Sequence, residues 1–135
     1  MSWQRETEPR YGKEVAMAKT IVGQTMSLDG FIAAPDDDVS PIFGWYMAGD
    51  TDLPIVGVPR VFRVSKASAA LIRKEWDSIG AIVKGRWDFD ISEAWGGILP
   101  LGVPIFILTH NPPGEWSKKG SPFTFVTDGV ESAVA

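Results

Sequence analysis

The sequence contains no cysteine and a single histidine, His110. Disulfides and thiolate metal sites are therefore excluded, as is any metal site needing two histidines. No apolar stretch is long enough to span a bilayer, and the first residues show no signal-peptide core, so a cytoplasmic protein without a membrane partner is expected. Clustered positive charge is equally scarce. The densest patch is Lys118-Lys119, and the net charge is −4. A nucleic-acid binder needs a basic face that such a chain does not supply. The acidic run Asp36-Asp37-Asp38 lacks the glycine and closing glutamate of a helix–loop–helix calcium site, so it reads as a solvated turn.

What is present suits one globular domain. The chain has 135 residues, and its 44% hydrophobic and 22% charged content is near the globular average, so wholesale disorder is not expected. Residues 1–16 are polar, mixed in charge and without apolar period, which predicts a flexible tail. Met17 stands at the start of the expected domain, 17–135. "KTIVGQTM" (19–26) is rich in β-branched residues and reads as a first strand. Residues 34–62 carry four prolines and several glycines, which predicts a long surface connection, with "FGWYMAGD" holding a short helical turn. "SKASAALIRKEWDS" (65–78) is helical: Ser65 is a good N-cap, and Ala69, Ile72 and Trp76 share one face. "IGAIV" (79–83) and "VPIFIL" (103–108) read as buried strands. "GRWDFDISEAWGG" (85–97) reads as a helix ended by Gly96-Gly97. "FTFV" (123–126) is a short strand, and Asp128 with Glu131 reads as a capping box opening a last helix. The alternation predicts an α/β fold with a mostly parallel sheet flanked by helices.

Ligands of open parallel sheets bind outside the carboxyl ends of the strands. Three polar segments fall at such ends: Asp29-Gly30, Gly85-Arg86 and Thr109-His110-Asn111. Gly85-Arg86 has two readings. The glycine lets a ligand approach the backbone, the helix start offers N–H groups and the arginine a bidentate phosphate partner; or the glycine makes a tight turn beside a solvated arginine. His110 is either a phosphate contact or an exposed loop residue. Asp29 is either a turn cap or an acid in a substrate pocket.

"MAKTIVGQTMSLDGFIAAPDDD", "SIGAIVKGRWDFD", "GVPIFILTHNPP" and "FTFVTDGVESAVA", in this order and spacing, resemble the dihydrofolate reductase-like family, which includes the C-terminal reductase domain of the bacterial riboflavin-biosynthesis deaminase-reductase. The similarity runs from about Met17 to the last residue. It implies an NADPH-dependent reductase acting on a small heterocyclic or carbonyl substrate, often as a homodimer. Thr25, Ile32 and Ala33 would line the nicotinamide face, with Asp29 the candidate catalytic acid. Gly85, Arg86 and the helix start at Trp87 and Asp88 would take the cofactor phosphates. Leu108, Thr109 and His110 would lie along the adenosine end, with Arg86 and His110 near the 2′-phosphate. Relatives carry a threonine and a basic or polar neighbour where this chain has Trp87-Asp88, and a carboxylate there competes with phosphate. Relatives also continue into a glycine-rich strand, so a domain incomplete at its C-terminus is expected. A non-catalytic fragment or partner-dependent nucleotide-binding module is the alternative.

Overall fold

Two hydrophobic clusters, each on its own small sheet, organise residues 19–135, the part of the chain that the computed structural model describes. The expected tail, 1–16, lies outside the described residues.

Residues 19–26, expected as the first strand, form none. Their backbone makes no backbone hydrogen bond among the described residues. β-Branched composition favours a strand only where a neighbour completes the ladder, and among the described residues no strand pairs with this segment.

The stretch 34–62, expected to be irregular, holds regular elements over about half its length. Helix α1 spans Ser40–Phe43, and a 3₁₀ turn follows at Gly44–Met47, inside the segment where a helical turn was expected. Strands β1 (Thr51–Pro54) and β2 (Val61–Val64) then pair antiparallel, with Leu53 opposite Phe62. Two of its four prolines sit where they cost little: Pro41 in the first turn of α1, Pro54 at the end of a two-stranded ribbon.

Helix α2 (Lys66–Asp77) follows the expected span closely. The Ser65 hydroxyl accepts from the Ser68 N–H at 3.1 Å, meeting one orphan donor of the first turn. Ala69 and Ile72 are buried against Leu53 and Val64, with Tyr46, Phe62 and Trp76 around them. Arg73 Nη2 donates to the Asp52 carbonyl at 2.9 Å and ties α2 to β1.

The second cluster belongs to three parallel strands: β3 (Ile82–Gly85), β4 (Ile105–Leu108) and β5 (Phe123–Val126), in the order β3-β4-β5. Helix α3 (Arg86–Ile91) leaves β3 directly. Its Phe89 is buried with Ile105, Ile107 and Phe123 and meets Phe123 edge-on at 5.1 Å, a favoured aromatic geometry. The helix expected over 85–97 stops at Ile91. Residues Glu93–Gly97 instead form a left-handed turn, with φ of 48°, 51° and 49° at Glu93, Ala94 and Trp95 before the glycine pair. Burial of Ala94 and packing of Trp95 on the core hold this turn in place. Helix α4 (Val130–Val134) closes the described chain. Asp128 does not cap it: the N-cap is Gly129, at φ 115°, and no side chain caps the helix.

The class is therefore mixed α/β, with one small parallel sheet and one antiparallel hairpin among the described residues. The two clusters meet at a narrow seam, where Leu101 N–H donates to the Val56 carbonyl at 3.1 Å. No helix among the described residues is long and apolar enough to cross a membrane.

Candidate functional site

The three parallel strands end level with one another. Gly85 pairs with Leu108, and Leu108 pairs with Val126. The residues at and just beyond these ends line an open pocket of about 530 Å³. From β3 comes Arg86; from β4 come Leu108, Thr109, His110 and Asn111. From beyond β5 come Thr127, Gly129 and Val130. A crevice at the carboxyl edge is where ligands of parallel sheets bind.

Arg86 is the best-anchored polar group there. Its Nε lies 2.7 and 2.8 Å from the two carboxylate oxygens of Asp90, one turn along α3. Its Nη1 donates to the Asn111 carbonyl at 2.5 Å. The guanidinium thus bridges α3 and the loop after β4, while Nη2 makes no hydrogen bond among the described residues. Thr109 shapes that loop: its hydroxyl accepts from the Asn111 N–H at 3.2 Å. His110 is exposed at the pocket wall.

Gly85 has φ −77° and ψ 158°, ordinary extended values. A Cβ added there would meet nothing within 4 Å. Neither backbone geometry nor crowding demands glycine at this position, which removes the tight-turn explanation and leaves open space beside the strand end. Asp88 lies in the first turn of α3, with Lys84 Nζ 2.8 Å from its Oδ2. This carboxylate is thus partnered within the chain. Trp87 is exposed on α3.

Other candidate residues lie elsewhere. Asp29 sits in a self-contained turn: the Ser27 hydroxyl donates to Asp29 Oδ1 at 2.7 Å, the Gly30 N–H to the Ser27 carbonyl at 3.0 Å, and the Phe31 N–H to Ser27 Oγ at 2.9 Å. Thr25, Ile32 and Ala33 do not line the pocket. Thr25 instead neighbours Tyr46, whose phenol is held above its ordinary value chiefly by burial, with the Thr25 side chain acting the other way and Glu75 adding to the rise.

Asn111 belongs to the polar segment expected at the end of its strand, whereas Val126, Thr127, Gly129 and Val130 were not foreseen. Their signal was available: "FTFVTDGVE" repeats the strand–turn–glycine–helix grammar that singled out Gly85-Arg86. No group of three or more histidine, aspartate or glutamate side chains among the described residues could hold a metal ion.

Comparisons with family models, with curated proteins and with solved structures return no match to this chain.

Proposed function

We propose that the chain is a cytoplasmic NADPH-dependent reductase of the dihydrofolate reductase-like type, with the phosphate-bearing end of the cofactor held at the carboxyl edge of the parallel sheet. The observation that carries this reading is the convergence of Arg86, Leu108, Thr109 and His110 on one pocket. Those residues fit the group. Arg86 is fixed by Asp90 and Asn111 yet keeps Nη2 for an anion, and Gly85 leaves room for close approach. Thr109 and His110 add polar contacts. When bound, NADPH supplies the hydride for a small heterocyclic or carbonyl substrate, and the protein contributes orientation and exclusion of water.

The test is calorimetric titration of NADPH and NADH into the wild-type chain and Arg86→Ala. A charge-assisted hydrogen bond contributes about 1.5–3 kcal/mol, so the variant should bind NADPH roughly ten- to a hundredfold more weakly and NADH less affected. Equal binding by both proteins would remove Arg86 from the site.

A second reading, a nucleotide-binding module without turnover, is favoured by one observation. Asp29, the candidate acid, is bound within its own exposed turn, and Thr25, Ile32 and Ala33 lie apart from the pocket. Cofactor binding with no oxidation in the presence of pyrimidine or pterin substrates would select it.

A further inference from the structure

The parallel sheet has one edge ready to accept another strand. In a parallel ladder, alternate residues turn their backbone groups to the neighbour. Ile82 N–H donates to the Pro104 carbonyl at 2.9 Å, so Val83 and Gly85 direct theirs to the outer side. No strand pairs there among the described residues. The edge is also unobstructed: a Cβ added at Gly80 or Gly85 would meet nothing within 4 Å. Proteins usually blunt such edges with proline, bulges or covering loops. Here Val83 is 37% exposed, and α3, which continues from the strand, presents Trp87 and Ile91 to solvent one helical turn apart.

The same chain carries a strand without a sheet. Residues 19–26 are β-branched and free of proline, and they make no backbone hydrogen bonds to other backbone groups among the described residues. Ile21 and Val22 are 77% and 95% exposed. Apolar side chains at that exposure gain nothing in the single chain, and the β3 edge has the ladder partners they lack.

We infer that residues Lys19–Met26 of one copy add as a strand to the outer edge of β3 in a second copy, and that the exchange is reciprocal. Each copy then donates one strand and accepts one, so the interface is self-complementary and closes at a dimer. In the added strand Ile21 lies on one face and Val22 and Met26 on the other; one face would cover Val83, which points away from α3, and the opposite face would lie beside the exposed Trp87 and Ile91. The inference does not need the cofactor reading: its test reads cross-linking and mass, and the pocket lining of Arg86, Leu108, Thr109 and His110 takes no part in the pairing.

The absence of cysteine makes the test clean. Val22→Cys and Val83→Cys are prepared as separate proteins, one carrying a mass tag, then mixed and oxidised. Gly23→Cys is run beside Val22→Cys to cover the alternative register. A disulfide-linked pair joining the two different proteins is the expected result. Val22→Pro, in a segment that makes no backbone hydrogen bonds to other backbone groups, should leave the circular dichroism spectrum intact and shift the light-scattering mass from dimer towards monomer. The inference is overturned by a wild-type chain that stays monomeric at high micromolar concentration. It is equally overturned by a dimer that Val22→Pro leaves intact, or by a Val22→Cys/Val83→Cys double variant that links only within one chain.

Discussion

Glu93, Ala94 and Trp95 show most plainly how side chains override backbone preference. Left-handed backbone costs a non-glycine residue roughly 1–2 kcal/mol, and three such residues stand in a row. Ala94 and Trp95 are held by the core around Phe89 and Phe123, whereas Glu93 is exposed. Glu93→Gly should therefore relieve strain without losing packing. Part of that gain is offset by the greater freedom of glycine in the unfolded chain, so a net stabilisation of about 0.5–1 kcal/mol is expected by urea denaturation. Tyr46 carries the clearest pH dependence. Burial holds its pKa above the ordinary 10.0, so the folded state retains the proton more tightly than the unfolded one. Its contribution is complete below pH 10 and is lost as pH rises through the folded value. Alkaline titration of stability should show that fall in the wild type and a shallower one in Tyr46→Phe. Asp88 is paired with Lys84, so Asp88→Thr removes a negative charge and releases a positive one near the proposed phosphate site. NADPH binding should tighten, most at low salt where screening is weakest; a salt-independent affinity would exclude the charge explanation.

Among the elements, those with complete local grammar were legible in the sequence. Helix α2 was, because Ser65 supplies the cap and Ala69, Ile72 and Trp76 the face. Strand β5 matched its four-residue motif, and β4 fell within its apolar run. The hairpin of β1 and β2 was hidden, since its strands are four residues long and interrupted by Pro54, Asp52 and Arg63. Segment 19–26 failed in the opposite way: it has the composition of a strand and, among the described residues, no neighbour to pair with. At the site, Arg86 and the Leu108–His110 run were legible because they follow apolar strands, while the Thr127–Val130 wall was obscured by reading Asp128 as a helix cap. Just before the hairpin lies a position whose importance only packing reveals. Gly49 donates its N–H to the Arg63 carbonyl at 2.8 Å, and a Cβ there would overlap the Val64 backbone. Val64 is itself fully buried. Gly49→Ala should thus displace β2 from α2 and cost about 2 kcal/mol or more. A thermal melt within a degree of wild type would show that the 3₁₀ turn before Gly49 can yield.

For the whole molecule, the decisive feature is that the two clusters share so little. One is built from Leu53, Val64, Ala69 and Ile72, the other from Phe89, Ala94, Ile105, Ile107 and Phe123, with no residue common to both. They communicate through the hairpin tip, where Gly57 at φ 79° packs on the Leu99 carbonyl and Val56 accepts from Leu101. Cooperative unfolding requires that opening one cluster costs the other its contacts, and this seam supplies such contacts among the described residues. The hairpin is a two-stranded ribbon covered by one helix, whereas the parallel sheet buries Ile105 and Ile107 on its central strand. Hydrogen exchange should accordingly find the amides of 105–108 protected longer than those of 51–54 and 61–64. Gly57→Ala tests the coupling directly. Its Cβ would lie 2.9 Å from the Leu99 carbonyl oxygen in a backbone conformation that alanine resists. The seam should open, so the hairpin amides lose protection while those of 105–108 keep theirs. If protection instead fell equally in both sheets, the clusters would be coupled by contacts beyond the seam, and the chain would unfold as one unit.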